Sequence, residues 1–369
     1  LLWEIRLESS KGHKIAAGAG LTLAGLLAYL LLWPVPAEPV SWEPQQAPGY
    51  VGAHAPNTRL AGLQKIDIGA EQGPEHLAMG PDGKLYAAVT SGKILRMAPD
   101  GSQREVFAST GGRVLGFDFD ASGRLIAADA MKGLLAIAPD GKVSVLTAQV
   151  AQGDPIRYAD GVVVAPSGMI YFTDASTRFA PAEWGGTFEA SVLDILEQSS
   201  TGRVLAYDPS TGTTRILASG LSFANGIALS GDGRTLFVNE TGRYRIWKID
   251  AASGKREVLF DNLPGYPDNL MRGRDGKIWV GLVKPRNPTI DKLAQKPFMR
   301  KLTLRLPRAL WPVPKAYGHV FAFSEDGKVL ADLQDPSGAY PETTAVLETP
   351  DRLYIQSLHA AYIGWMPRP

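Results

Sequence analysis

The 369-residue chain sets 38 Lys and Arg against 37 Asp and Glu, a formal net charge of +1, so it has no basic excess with which to hold a nucleic-acid backbone. It has no cysteine, which excludes a disulfide framework, a thiolate zinc site and a cysteine nucleophile. With 45% hydrophobic residues most of the chain must fold, and 40 Gly and 27 Pro suit many short strands joined by turns.

Residues 1–14 read as a cytoplasmic tail and residues 15–33, IAAGAGLTLAGLLAYLLLW, as a single transmembrane helix, since about 20 apolar residues cross the hydrocarbon core. Arg6, Lys11 and Lys14 precede the run, so the positive-inside rule puts the N-terminus in the cytoplasm and the remainder outside it, in the periplasm if the source is bacterial. A cleaved signal peptide ending near Val35-Pro36-Ala37 is the competing reading, but the apolar run is longer than the usual h-region. Residues 34–58, rich in Pro, Ala, Glu and Gln, read as an extended linker.

Residues 59–369 repeat one pattern. Turns at Pro81-Asp82-Gly83, Ala121-Ser122-Gly123, Pro166-Ser167-Gly168, Gly231-Asp232-Gly233 and Arg274-Asp275-Gly276 each lead into a β-rich run: KLYAAV, RLIAAD, MIYFTD, RTLFVN and KIWVGL. Later turns such as Pro99-Asp100-Gly101 and Pro139-Asp140-Gly141 add a second hairpin per unit. Four strands per unit of roughly 40 to 50 residues is the pattern of a propeller blade, which buries its faces only by stacking in a ring. The run from Thr343 is too short for a whole blade, so residues 60–68 are expected to complete it. The reading is an all-β, six-bladed β-propeller with an N-terminal single transmembrane α-helix. Insertions are expected at 177–201 and 284–317, the second a lid, a bilayer contact or a helix packed on the rim.

In a propeller the innermost strands line a central channel, so their first residues converge. Those segments here contain Glu75, Asp160, Asn225, Asp268 and Asn269, an oxygen-only set suited to a hard cation such as Ca2+. Asn-Gly and Pro-Asp-Asn also form good turns, but convergence on one axis favours a site. His76 and His359 are the histidines near inner strands, each a candidate catalytic base or else a hydrogen-bonded structural residue.

The stretches YFTDAS (171–176), GRVLAYDPSTG (202–212), LSFANGIALSGDGRTLFVNETGRYRIWKI (221–249) and LPGYPDNL (263–270) resemble the strictosidine synthase family and its animal relatives, the adipocyte plasma membrane-associated proteins, within the gluconolactonase, SMP-30 and paraoxonase superfamily. That resemblance implies calcium ligands at Glu75, Asn225 and Asp268, with Asn269 as a further one. Where the hydrolases have Asn then Asp this chain has Ala159-Asp160, so Asp160 would have to replace a lost amide. Leu115 and Ala130 stand at the paraoxonase channel histidines, and Thr344 near the glutamate of strictosidine synthase, which argues against Pictet-Spengler condensation. The implied function is a membrane-anchored, Ca2+-dependent hydrolase of small esters or lactones. The alternative is a non-catalytic binding or scaffold subunit of a membrane-protein complex.

Overall fold

The structure, a computed structural model, describes residues 2–369, with side chains from residue 13. Leu1, in the expected tail, lies outside the described residues. Among the described residues 24 strands form six four-stranded antiparallel sheets arranged as the blades of a propeller. The innermost strands, in ring order, are His76–Met79, Val114–Phe119, Ala159–Val164, Ala224–Leu229, Gly265–Arg272 and Thr343–Glu348.

Ring closure occurs where the sequence pattern leaves a strand missing. Gln64–Asp67 pairs antiparallel with Tyr362–Pro367, Gln64 opposite Trp365 and Asp67 opposite Tyr362, completing blade six as its outermost strand. The Asp-Gly and Ser-Gly turns need a left-handed residue, and Gly83, Gly101, Gly123 and Gly141 supply it at φ 74°, 90°, 79° and 85°. Apolar side chains from adjacent blades interdigitate: Ile126, Ala128 and Leu134 of blade two pack with Ile170, Phe172 and Leu205 of blade three.

Near the axis the inner strands approach so closely that only glycine fits. A Cβ on Gly116 would lie 2.7 Å from the Asp160 carbonyl oxygen, and one on Gly226 would lie 2.4 Å from the Leu270 nitrogen and 2.5 Å from the Asn269 Cα.

The N-terminal helix α1, Leu2–Leu32, merges the expected tail and span into one element. Its segment His13–Leu32 is a candidate membrane span, 20 residues with mean hydropathy 2.0 and no part buried against the protein, about 30 Å at helical rise. The insertions carry α2 (Thr187–Glu197), α3 (Pro288–Leu293) and α4 (Pro297–Arg305). Arg305 of α4 donates from Nε to the Trp33 carbonyl at 2.6 Å and from Nη1 to the Leu30 carbonyl at 3.1 Å. It thereby puts a cation at the negative end of α1, whose last turn has no basic residue.

The expected linker is extended but does not hang free. Val40 donates its N–H to the Glu197 carbonyl at 2.8 Å, and Gln45 and Gln46 carbonyls accept from Arg286 (2.8 Å) and Asn262 (2.9 Å). With no sheet partner, the segment satisfies its backbone through both main-chain and side-chain groups of the propeller and its insertions.

Gly226→Ala is expected to destabilise the chain by about 1–3 kcal/mol, because the new methyl meets backbone that cannot move aside. Thermal unfolding followed by tryptophan fluorescence checks this, and an unchanged midpoint would mean that the strands are not packed this closely.

Candidate active and metal site

Five of the six inner strands, all but His76–Met79, are irregular in their pairing near the axis. The pairing register shifts between Ala159 and Val162, Ala224 and Ile227, Pro267 and Leu270, and Thr343 and Val346. Bulges of this kind re-aim side chains and free backbone groups from the ladder. Buried hydroxyl and amide side chains take up the freed carbonyls. Thr173 donates to the Asn225 carbonyl (2.7 Å), Asn239 to that of Asp268 (2.6 Å), and Thr344 and Asn269 to that of Glu75 (2.9 and 3.0 Å).

A second brace recurs one strand outward. Asp129, Asp174 and Glu240 each end the second strand of a blade, and each accepts the N–H of a residue leading into the inner strand: Arg113 at 3.2 Å, Tyr158 at 2.8 Å and Ser222 at 2.8 Å. Asp174 is itself held by Arg203 at 2.9 Å. The pair is fully buried, so removing either partner leaves a charge that costs about 3–5 kcal/mol.

These braces turn Glu75, Asp160, Asn225 and Asp268 into one cavity of about 330 Å3 at the end of the channel where the inner strands begin. His359 stands at its rim beside Phe188 of α2. All three carboxyls are buried, and burial raises each above the usual carboxylate range, while Glu75 pushes Asp160 and Asp268 further up. Asp160 Oδ1 and Asp268 Oδ1 are buried without a hydrogen-bond partner, and Asn225 hydrogen-bonds the Asp268 carboxyl. Three buried carboxyls and one amide on one cavity, with unpartnered oxygens on Asp160 and Asp268, have the donor chemistry of a hard divalent cation. The three carboxyls do not bring an oxygen each within 4.8 Å of one another, so a cation would have to draw them closer.

Arg113 complicates that fit. Its guanidinium forms a very short ion pair with Glu75 inside the same cavity, and its Nη1 is buried with no partner. One protein cation already offsets part of the negative charge, so a metal bound at Glu75 would compete with it. The reading from sequence passed over Arg113 and Tyr158, which also line the cavity. The signal for Arg113 is positional: it stands immediately before the inner strand of blade two, as Glu75 does in blade one.

Two residues expected at the site are not brought to it. The Asn269 amide is spent on the Glu75 carbonyl, so it braces the strand that presents Glu75. His76 lies further along the channel in a separate cavity of about 380 Å3 with Phe117, Val162 and Ile227. Its ring packs edge-on against Phe117 at 4.8 Å, and burial pushes its imidazole down to about 4, which keeps it neutral. His359 behaves in the opposite way: its Nδ1 pairs closely with Glu342, which raises the imidazole above its ordinary value despite partial burial. Glu342, paired with His359 and with Lys284 at 2.7 Å, is held down to about 2 against the burial that would raise it.

Residues 52–97 match the family described as strictosidine synthase-like, N-terminal, and residues 160–252 match strictosidine synthase, segments that contain Glu75, Asp160 and Asn225. The chain is 36% identical over 288 residues to Strictosidine synthase-like 6 of Arabidopsis thaliana, covering 76% of this chain and 73% of that protein. It is 30% identical over 373 residues to the adipocyte plasma membrane-associated protein of Salmo salar, covering 93% and 87%. Among solved structures it superposes on a gluconolactonase from Xanthomonas campestris with TM-score 0.60 at 20% identity, covering 91% of this chain and 99% of that one. It superposes on regucalcin, a calcium-binding protein from Agrobacterium tumefaciens, with TM-score 0.52 at 16% identity, covering 79% and 85%. At such identities the structural likeness is one of fold, whereas identity of 30% or more across most of both chains is descent, and the protein is a member of the strictosidine synthase-like family.

Proposed function

We propose that the chain is a membrane-anchored hydrolase of small esters or lactones that works with a divalent cation, Ca2+ by the chemistry of its donors. The observation that carries this reading is the convergence of Glu75, Asp160, Asn225 and Asp268 on one cavity, with unpartnered oxygens on two of the carboxyls. The fold shared with a gluconolactonase is consistent with it. In this reading α1 anchors the chain, the positive-inside rule puts the propeller outside the cytoplasm, and the substrate is a small molecule that enters by the rim near α2.

Glu75, Asp160, Asn225 and Asp268 would hold the cation, which when bound polarises a carbonyl and acidifies water. The protein side chains supply the remainder. Arg113, displaced from Glu75, is left facing the same cavity and is available to orient an oxygen-bearing substrate. His359, with Nδ1 engaged by Glu342, has Nε2 to take a proton from water and return it to the leaving group. Leu115, Phe223 and Phe188 line the cavity with apolar surface and restrict water. His76 has no step in this scheme, because it lies in the other cavity.

A second reading, a binding or scaffold propeller within a membrane complex, draws on Ala159 and on the Arg113–Glu75 pair, which together let the ring stand without a catalytic metal. Purified full-length protein decides between them. Aryl ester or lactone turnover that disappears with chelator and returns with Ca2+ supports the hydrolase, and no turnover under any condition supports the binding protein.

Asp268→Asn is expected to lower Ca2+ affinity by tenfold or more, about 1.4 kcal/mol, since it removes one of the three carboxylate charges, and isothermal titration reads this directly. Arg113→Met should act in the opposite direction and tighten Ca2+ by about tenfold, by removing the guanidinium that competes for Glu75; equal or weaker binding would show that Arg113 is no competitor. If His359 is the base, kcat/KM should rise with pH around a midpoint above the ordinary imidazole value, because Glu342 stabilises the charged ring and the base form appears only above that raised pKa. Glu342→Gln should move the midpoint to lower pH, and a pH–rate profile that ignores this change would remove His359 from the mechanism.

A further inference from the structure

Outside the axial cavity, the docked linker ends on blade five in a cluster that the proposed reaction does not use. His54 closes the short 3-10 turn Gly52–His54, His319 lies in the third strand of blade five, Gly318–Phe323, and Asp332 in its outermost strand, Val329–Asp335. His319 pairs in register with Gln334, so Asp332 is its diagonal neighbour on the same face. His54 Nδ1 and His319 Nε2 both lie 2.8 Å from a single oxygen, Asp332 Oδ2. Among the described residues this is the one group of three His, Asp or Glu side chains whose donor atoms all lie within 4.8 Å of one another.

We infer that His54, His319 and Asp332 form a second metal site, of Zn2+ type, that staples the membrane-proximal linker to blade five. The donors are two imidazole nitrogens and one carboxylate oxygen, the borderline set that suits zinc and its neighbours rather than calcium. The other Asp332 oxygen, Oδ1, is already held by Asn57 Nδ2 at 3.1 Å and Gln334 Nε2 at 2.5 Å. That is the outer support expected of a one-oxygen metal carboxylate, and it leaves Oδ2 as the inward donor. Tetrahedral zinc at its usual bond lengths needs donors about 3.3 Å apart, about 0.5 Å more than each nitrogen now keeps from Asp332 Oδ2, and the two nitrogens lie within 4.8 Å of each other.

The proton balance is neutral. With Asp332 ionised and therefore accepting, each ring nitrogen that faces it carries the shared hydrogen, and metal entry moves it to the other nitrogen of the same ring. For His319 that nitrogen, Nδ1, is buried with no partner, so the move breaks no existing hydrogen bond. The surroundings are aromatic: Tyr50 stacks on Tyr317 at 4.6 Å and lies 5.5 Å from His319, and Phe321 meets His54 edge-on at 4.8 Å. The buried Tyr50 hydroxyl also lacks a partner and is available to a water in the fourth metal position. Access remains on the His54 side, where the side chain is 15% exposed while His319 is fully enclosed.

The test uses the full chain in detergent, stripped with chelator and dialysed, then titrated with Zn2+ and separately with Co2+. The expected result is one tight zinc equivalent and the visible d–d bands of tetrahedral Co2+. His54→Ala should lose about 100-fold or more in zinc affinity and the Co2+ spectrum, while Glu75→Gln, at the axial cavity, keeps both. His54 lies on the linker, so the propeller in His54→Ala should remain folded, and its circular dichroism verifies that. Zinc binding that survives in folded His54→Ala, or no tight zinc in the stripped wild type, overturns the site and leaves the cluster as a hydrogen-bonded clasp. A third variant, Asp332→Asn, separates these further: it should abolish tetrahedral Co2+ binding, and retention of the spectrum would also overturn the assignment.

Discussion

Closure of the ring is the constraint on which everything else depends. A four-stranded blade has two apolar faces and cannot bury either alone, so each blade is stable only between two neighbours. Blade six is built from both ends of the propeller, with Gln64–Asp67 as the outer strand against Tyr362–Pro367. This ties the region after the linker to the C-terminus, and it holds the six inner strands at the separation that Gly116 and Gly226 require.

Close approach at the axis explains the chemistry found there. Strands packed this tightly bulge, and the released carbonyls would be costly if they were left unbonded. Thr173, Asn239, Asn269 and Thr344 satisfy them, while Asp129, Asp174 and Glu240 brace the segments behind. The result is a rigid frame in which three carboxyls are held together despite mutual repulsion. Arg113 relieves part of that repulsion, which makes the site electrostatically poised: the protein provides one internal cation and leaves Asp160 and Asp268 oxygens for another.

The N-terminal helix and linker follow the same logic of satisfying exposed backbone. The C-terminal carbonyls of α1 are taken by Arg305, and linker carbonyls by Arg286 and Asn262. Helix α4 thereby connects the candidate span to the insertions at the channel rim, and Phe298 and Met299 on it remain exposed. The candidate span, the rim and the cavity are therefore parts of one connected assembly, with the linker running on to blade five at His54.

Several features were legible in the residues alone, because they depend on neighbours in the chain. The apolar run 15–33, the Asp-Gly and Ser-Gly turns with their left-handed glycines, the alternating short strands and the shortage of strands after Thr343 together specify a helix, a blade repeat and a composite sixth blade. Glu75, Asp160, Asn225 and Asp268 were also legible, as oxygen donors at the start of inner strands. What the sequence left undetermined was the direction of individual side chains after the strands bulge. Asn269 turns to a neighbouring carbonyl, His76 falls in the other cavity, and Arg113 reaches Glu75 from the next blade. The meeting of His54 with Asp332, 278 positions apart, exists only once the linker has docked on the closed ring. Turn and strand preferences are local energies, whereas these contacts are set by the geometry between blades, which no stretch of chain contains by itself.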